Sequence, residues 1–371
     1  MRTYLDHNAT SPLRPEARDA MLAALELRGN ASSVHQEGRK ARALIETARD
    51  AIAGALGTIA PTVVFTSGGS ESCNQALRCV AADRIIVSAI EHPCVMEAAS
   101  ASGLQVDVIP VDRNGVVELS ALASLLGKDD GRALVSIMLA NNETGAVQPI
   151  RDVVAMAQEH NALVHCDAVQ AFGKLPVNFG LLGVDLLSVS AHKLGGPQGV
   201  GALVVRDGLP VSPLVAGGGQ ELRRRAGTEN VAGVAGFAAA VGAVGRNVPG
   251  FKGLQAQLEA VLASGPGEIT VFSAAVDRLP NTVCFALTGL EADTALMAFD
   301  LDGIAVSSGS ACSSGKVQPS HVLQAMGASD TETRSAIRVS LGWSSTVEDV
   351  NRFSDSWQKI AARHVARAAA A

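Results

Sequence analysis

The sequence predicts an α/β protein: a mostly parallel sheet with helices on both faces, followed by a smaller α/β unit. Three observations carry this. Short apolar runs alternate with stretches of helical periodicity through most of the 371-residue chain. Five of these runs end in small polar clusters, as strands do where an open sheet meets a ligand. The composition loosens around Val248-Pro249-Gly250, and a second series of strands and helices begins there. The expected division is an N-terminal segment, 1–15, joining the small domain, a large domain over 16–248, and a small C-terminal domain over 249–371 that carries a Ser/Gly loop with Cys312.

The first predicted helix spans 35–56, because Leu44, Ala48, Ile52 and Leu56 fall four apart on one face and Gly57 stops it. Strands follow at 63–65, 84–87, 104–109, 134–139, 163–166, 186–189 and 201–205, with helices at 71–80 and 149–160 among them. The stretch 231–245 is too short to cross a bilayer and is interrupted by Gly233, Gly236 and Gly242, so it reads as a closely packed buried helix. The second unit has strands near 283–287, 304–307 and 336–341, with helices near 292–299, 320–326 and 347–366. An Ala-rich tail after Arg367 is expected to fray.

Composition excludes several classes of function. A net charge of −6 gives no basic footprint for nucleic acid. The N-terminus lacks the apolar core of a signal peptide, and no run is long enough for a membrane span, so a cytoplasmic protein is expected. Cys73, Cys79, Cys94, Cys166, Cys284 and Cys312 form no Cys-x-x-Cys pair, which favours reduced thiols over disulfides and predicts no metal site.

The strand ends carry the chemistry. Asp167 closes Ala162-Leu163-Val164-His165-Cys166, and Lys193 follows the next strand. A carboxylate and a lysine at neighbouring strand ends suit pyridoxal 5'-phosphate (PLP), which needs an amine for its Schiff base and an acid to keep its pyridine nitrogen protonated. A lysine there is otherwise unfavourable unless paired or neutral. Gly68-Gly69-Ser70 opens a helix and offers amides to a phosphate, although a plain turn capped by Ser70 reads equally well. His92 is placed to stack on the cofactor ring, with a satisfied core or surface histidine as the bland alternative. Asn142 lies in a run that is either an ordinary turn or a source of amides for a phenolic oxygen or a substrate carboxylate. Gln170, Ser190 and His192 crowd the same strand ends. Cys312 is either an inert loop thiol or, beside PLP, a thiolate that attacks a substrate sulfur. Arg338 suits a carboxylate clamp or a strand-edge salt bridge.

These residues, together with Tyr4-Leu5-Asp6-His7-Asn8-Ala9-Thr10, Arg225-Ala226-Gly227-Thr228 and Ser-Ser-Gly-Ser-Ala-Cys ending at Cys312, carry a resemblance over nearly the whole chain. The sequence resembles the cysteine desulfurases of the NifS/IscS type, within the fold-type I, class-V aminotransferase-like PLP enzymes. The fold this implies is a large domain with a mostly parallel seven-stranded sheet sandwiched by helices, plus a smaller α/β domain. The resemblance implies that Lys193 carries PLP, Asp167 pairs with the pyridine nitrogen, His92 stacks on the ring and Gln170 contacts the phenolic oxygen. Gly69, Ser70, Ser190 and His192 would hold the phosphate, with Thr228 supplied across the interface of a homodimer. Asn142 and Arg338 would bind the substrate carboxylate. Cys312 would take sulfur from L-cysteine as a persulfide, leave L-alanine, and supply an iron–sulfur scaffold or another acceptor protein. Two features depart from the family: Gly69-Ser70 stands where Ala-Thr is more usual, and the C-terminal tail is short and Ala-rich, which leaves the acceptor open.

Overall fold

The computed structural model describes residues 2–128, 131–244, 250–308 and 319–370. In chain order the strands are β1 (Thr3–Tyr4), β2 (Val63–Thr66), β3 (Arg84–Ser88), β4 (Gln105–Ile109), β5 (Ala133–Met138), β6 (Leu163–Asp167), β7 (Leu186–Ser190), β8 (Gly201–Val205), β9 (Ile269–Val271), β10 (Thr282–Leu287), β11 (Ile304–Ala305) and β12 (Ala336–Ser340). Seven of them form one sheet in the order β2-β8-β7-β6-β5-β3-β4. Within it β8 runs antiparallel to both neighbours and the remaining pairings are parallel. This is the mostly parallel seven-stranded sheet that the apolar runs predict. The strands β3, β5, β6, β7 and β8 are buried along their whole length, because helices cover both faces and leave no solvent side on which to alternate. Edge strand β4 instead carries exposed residues.

Register aligns the chemistry at one end of this sheet. Met138 lies opposite Asp167, and Asp167 opposite Ser188, so the chain leaving β6 at Asp167 and the chain leaving β7 toward Lys193 emerge together. Four helices matter for the site: α1 (Pro15–Leu25), α2 (Gln36–Ala55), α3 (Gly69–Arg78) and α4 (Pro93–Ser100). The helix Val231–Val244 packs on α1 and α2. Gly236 permits that approach: a Cβ there would lie 2.6 Å from Met21 Cγ.

Beyond residue 250, β12-β10-β9 form an antiparallel sheet, and β1 pairs with β11 in parallel. A separate apolar core gathers here around Phe285, Phe299, Phe353 and Trp357, and Leu5 of the N-terminal segment belongs to it. The rings of Phe299 and Phe353 stack at 5.2 Å, and Phe285 meets Trp357 edge-on at 5.0 Å. One expectation is corrected. The Ala-rich tail does not fray at Arg367: the last helix runs Val347–Ala370, in keeping with the high helix propensity of alanine. Cys312 lies outside the described residues, as does the rest of its loop apart from Ser307 and Ser308. Among the described residues no helix is long and apolar enough to cross a membrane.

Candidate active site

The sheet end opens into a cavity of about 230 Å³. It is lined by Gly69, Ser70, His92, Asn142, Asp167, Gln170, Ser190, His192 and Lys193, nine of the residues singled out from sequence, and also by Cys94, Met138, Ala140 and Val169. They arrive from the ends of five strands, β2, β3, β5, β6 and β7. Gly69 and Ser70 begin α3 directly after β2, so the first-turn amides and the positive end of the helix dipole face the site. His92 caps α4: Pro93 at the first helical position holds the chain extended, and His92 Nδ1 accepts the Cys94 N–H at 3.1 Å. In the neutral imidazole that bond leaves the proton on Nε2.

Asp167 is buried at the end of β6. Its Oδ1 accepts the Val169 N–H at 2.9 Å, and its Oδ2 faces the Cys73 thiol at 3.8 Å. Burial, helped by the nearby Cys94, pushes the carboxyl up to about 6. A cationic partner would relieve this penalty, since it favours the ionised form. Cys73 and Cys94 lie side by side. The hydrogen bond from Cys73 is the largest of the effects that draw Cys94 down to about 5.

Lys193 Nζ donates to the backbone oxygens of Asn8 and Ala9, at 2.6 and 2.9 Å. Next to it, His192 Nδ1 meets Thr10 Oγ1 at 3.2 Å, and burial with the neighbouring Lys193 and Lys174 lowers the imidazole to about 4. Gln170 Nε2 donates to the same Asn8 oxygen at 2.9 Å. The N-terminal segment thus fastens Lys193 and Gln170 at the lysine end of the cavity.

Arg338, on β12, does not line the cavity but borders it. Its Nη1 donates to the Asn142 backbone oxygen at 3.0 Å and its Nη2 to Asp6 Oδ1 at 2.8 Å. Its Nε is buried with no hydrogen-bond partner, an orphaned donor beside the site. Both the salt bridge and a spare donor are therefore present. The base of the Cys312 loop is fastened to the same arginine, because Ser307 and Arg338 exchange backbone hydrogen bonds at 3.1 and 2.6 Å. On the far side of the loop, Ser320 Oγ donates to Glu143 Oε2 at 2.5 Å, and His321 Nε2 meets the Glu91 backbone oxygen at 2.9 Å. Thr228 is not in the cavity of its own chain. It lines a neighbouring one with Ser67, Gly199 and Arg225.

Sequence reasoning passed over Lys174. Its ammonium is bonded to Gln170 Oε1 at 2.7 Å and Asn8 Oδ1 at 2.8 Å, and burial pushes its pKa well below the usual lysine range. In sequence, Gly173-Lys174 reads as a solvated turn. The available signal was its position four residues beyond Gln170.

The donor set fits PLP. Asp167 would face the pyridine nitrogen, Lys193 the aldehyde carbon, and the first turn of α3 with Ser70, Ser190 and His192 the phosphate. Gly69 keeps that cradle open, since a Cβ there would come within 2.7 Å of Val169 Cγ2.

Comparison with known proteins agrees with this arrangement. Residues 3–353 match the aminotransferase class-V family. The chain is 41% identical to cysteine desulfurase IscS of Dictyoglomus turgidum, across 96% of this chain and 94% of that one. Among solved structures, a NifS-like protein from Rickettsia africae superposes with a TM-score of 0.91 at 37% identity, covering 97% of this chain and 99% of that chain. SspA in complex with cysteine superposes with a TM-score of 0.81 at 31% identity, over 91% and 98%. A family match along this much of the sequence, around a site with this lysine and carboxylate, has one reading: the chain belongs to the class-V aminotransferase family, among the cysteine desulfurases of the NifS/IscS type.

Proposed function

We propose that this chain is a PLP-dependent cysteine desulfurase that moves the sulfur of L-cysteine onto Cys312 as a persulfide, releases L-alanine and supplies sulfur for iron–sulfur cluster assembly. The observation that carries the reading is the meeting of Asp167 and Lys193 at one cavity, with the base of the Cys312 loop hydrogen-bonded to Arg338 at its rim. Relatives named cysteine desulfurase, and a related structure described as holding cysteine, support the same substrate.

When bound, PLP supplies an electron sink that labilises the substrate Cα–H bond and then the Cβ–S bond. The protein does the rest. Arg338 and Asn142 hold the substrate carboxylate, a guanidinium being suited to that anion. Lys193 Nζ moves the proton at the substrate Cα. Asp167, kept ionised by its cationic partner, holds the ring nitrogen protonated. His92 Nε2 exchanges the proton of the substrate thiol. Cys312 thiolate attacks the substrate sulfur as the Cβ–S bond breaks.

Thr228 does not line the cofactor cavity of its own chain, which is in keeping with the homodimer that the family resemblance implies, in which each chain completes the phosphate site of its partner. A cytoplasmic location fits a mechanism that needs reduced thiols. The test is direct. Purified protein should carry a yellow PLP chromophore and convert L-cysteine, with a thiol reductant, to alanine and sulfide in equal amounts. Protein that takes up no PLP, or makes sulfide without alanine, would refute the reading.

A further inference from the structure

Beneath the cofactor cavity lies a group of side chains of which only Asp167 has a part in the desulfurase chemistry. Cys73 in α3, Cys94 in α4 and Asp167 at the end of β6 each offer one ligand atom, and these three atoms lie within 4.8 Å of one another. Cys94 and Asp167 line the cavity, while Cys73 is fully buried behind them. The spacing of 73 and 94 along the chain resembles no metal motif, and the fold alone joins them, through the packing of α3 against α4.

We propose that Cys73, Cys94 and Asp167 form a site for a thiophilic divalent cation of the zinc class, which fills when PLP is absent and excludes PLP when filled. The donor types suit such a cation, since two sulfurs and a carboxylate oxygen are a three-ligand set with the fourth position open. Metal–ligand lengths of about 2.3 Å for sulfur and about 2.0–2.2 Å for oxygen place tetrahedral ligands roughly 3.4–3.8 Å apart. The 4.8 Å group therefore closes onto a cation with side-chain movements of about 1 Å. Cys73 Sγ already faces Asp167 Oδ2 at 3.8 Å. The cavity supplies the entry path and a water for the fourth position. On binding, both sulfurs coordinate as thiolates, and the protons they carried leave to solvent. Exclusion follows from Asp167: its carboxylate serves either the cation or the pyridine nitrogen, so only its part in competition rests on the reading of Asp167 given above.

The test uses the full chain carrying Cys312→Ser, which removes the loop thiol, stripped of cofactor with hydroxylamine and titrated with cadmium. Thiolate-to-cadmium charge transfer in the ultraviolet should saturate at one equivalent. Cys73→Ser and Cys94→Ser should each weaken binding at least tenfold, and added PLP should displace the metal in proportion to the cofactor absorbance regained. X-ray absorption of the cadmium-loaded chain gives a count independent of how the variants fold, and two sulfur ligands are expected. Fewer than two sulfurs, unchanged affinity in either serine variant, or PLP and cadmium bound together at full occupancy would overturn the proposal. Two sulfurs on cadmium in a chain that takes up no PLP would support the metal site and refute the cofactor reading instead.

Discussion

Gly69 and Val169 are fitted to one another across the cofactor cavity: a Cβ on Gly69 would lie 2.7 Å from Val169 Cγ2. Gly69 opens α3, and the Val169 N–H holds Asp167 Oδ1 at 2.9 Å. The contact accounts for the departure from the more usual alanine at this position, because alanine here would push on the residue that orients the ring-nitrogen partner. Gly69→Ala should weaken PLP binding about tenfold or more, the scale of a 1–3 kcal/mol overpacking penalty. Gly69→Ala with Val169→Ala should recover most of it, because the double substitution removes the clash. PLP titration by absorbance measures both. Additive losses in the double variant would show that the two positions are not coupled.

Arg338 has two possible roles that one substitution separates. Its guanidinium ties Asp6 and Asn142 together, and its Nε remains without a partner. Arg338→Lys keeps a positive charge but removes the fork. The expected result is a KM for L-cysteine raised at least tenfold with the cofactor spectrum unchanged. An unaltered KM with reduced thermal stability would make the residue a structural tie.

The large sheet was legible because its strands are apolar runs bounded by polar clusters, a pattern that burial on both faces enforces. Asp167, Lys193 and His92 were legible for the same reason, each standing just past such a run. Other parts gave weaker signals. Helix α1 presents a small-residue face, with Ala17 and Ala24 buried, and so lacks strong apolar periodicity. Strands β1 and β9 have two and three residues, too short for alternation to register. Lys174, Asn8 and the Cys73–Cys94 contact depend on segments far apart in sequence, which only the folded sheet unites. Asn8 meets Lys193 across a separation of 185 residues.

Cys312→Ala separates cofactor chemistry from sulfur transfer. The variant should keep the yellow chromophore and still bind L-cysteine, because none of the residues lining the cavity is changed. Persulfide on the protein should disappear, and alanine formation should fall at least a hundredfold, since no other thiol is carried on that loop. Mass spectrometry of the protein after a single turnover reads the persulfide. Undiminished release of alanine and sulfide would remove the thiolate from the mechanism. Lys193→Ala makes the complementary case, with covalent cofactor attachment and turnover both lost.

The buried His7 and the half-buried His192 make the N-terminal side of the site sensitive to acid. Burial is the main cause that lowers both His7 and His192 to about 4, with nearby lysines adding to it. His7 Nδ1 meets Ser11 Oγ at 2.8 Å, and His192 Nδ1 meets Thr10 Oγ1 at 3.2 Å, so both brace the segment whose carbonyls hold Lys193. An unfolded histidine takes a proton near 6.5, whereas these resist until about 4, so the unfolded chain binds more protons throughout that window. Their contribution to stability is complete above about pH 6.5 and declines as pH falls toward 4, by up to about 3 kcal/mol for each group. Buried Glu91 and Glu143, whose carboxyls burial pushes up, act with the opposite sign, so the informative quantity is a difference between variants. Urea midpoints of cofactor-free protein at about pH 7 and about pH 4.5 should fall less steeply in His7→Gln and His192→Gln than in the unaltered chain. Parallel profiles in all three would show that neither imidazole is held neutral by the fold.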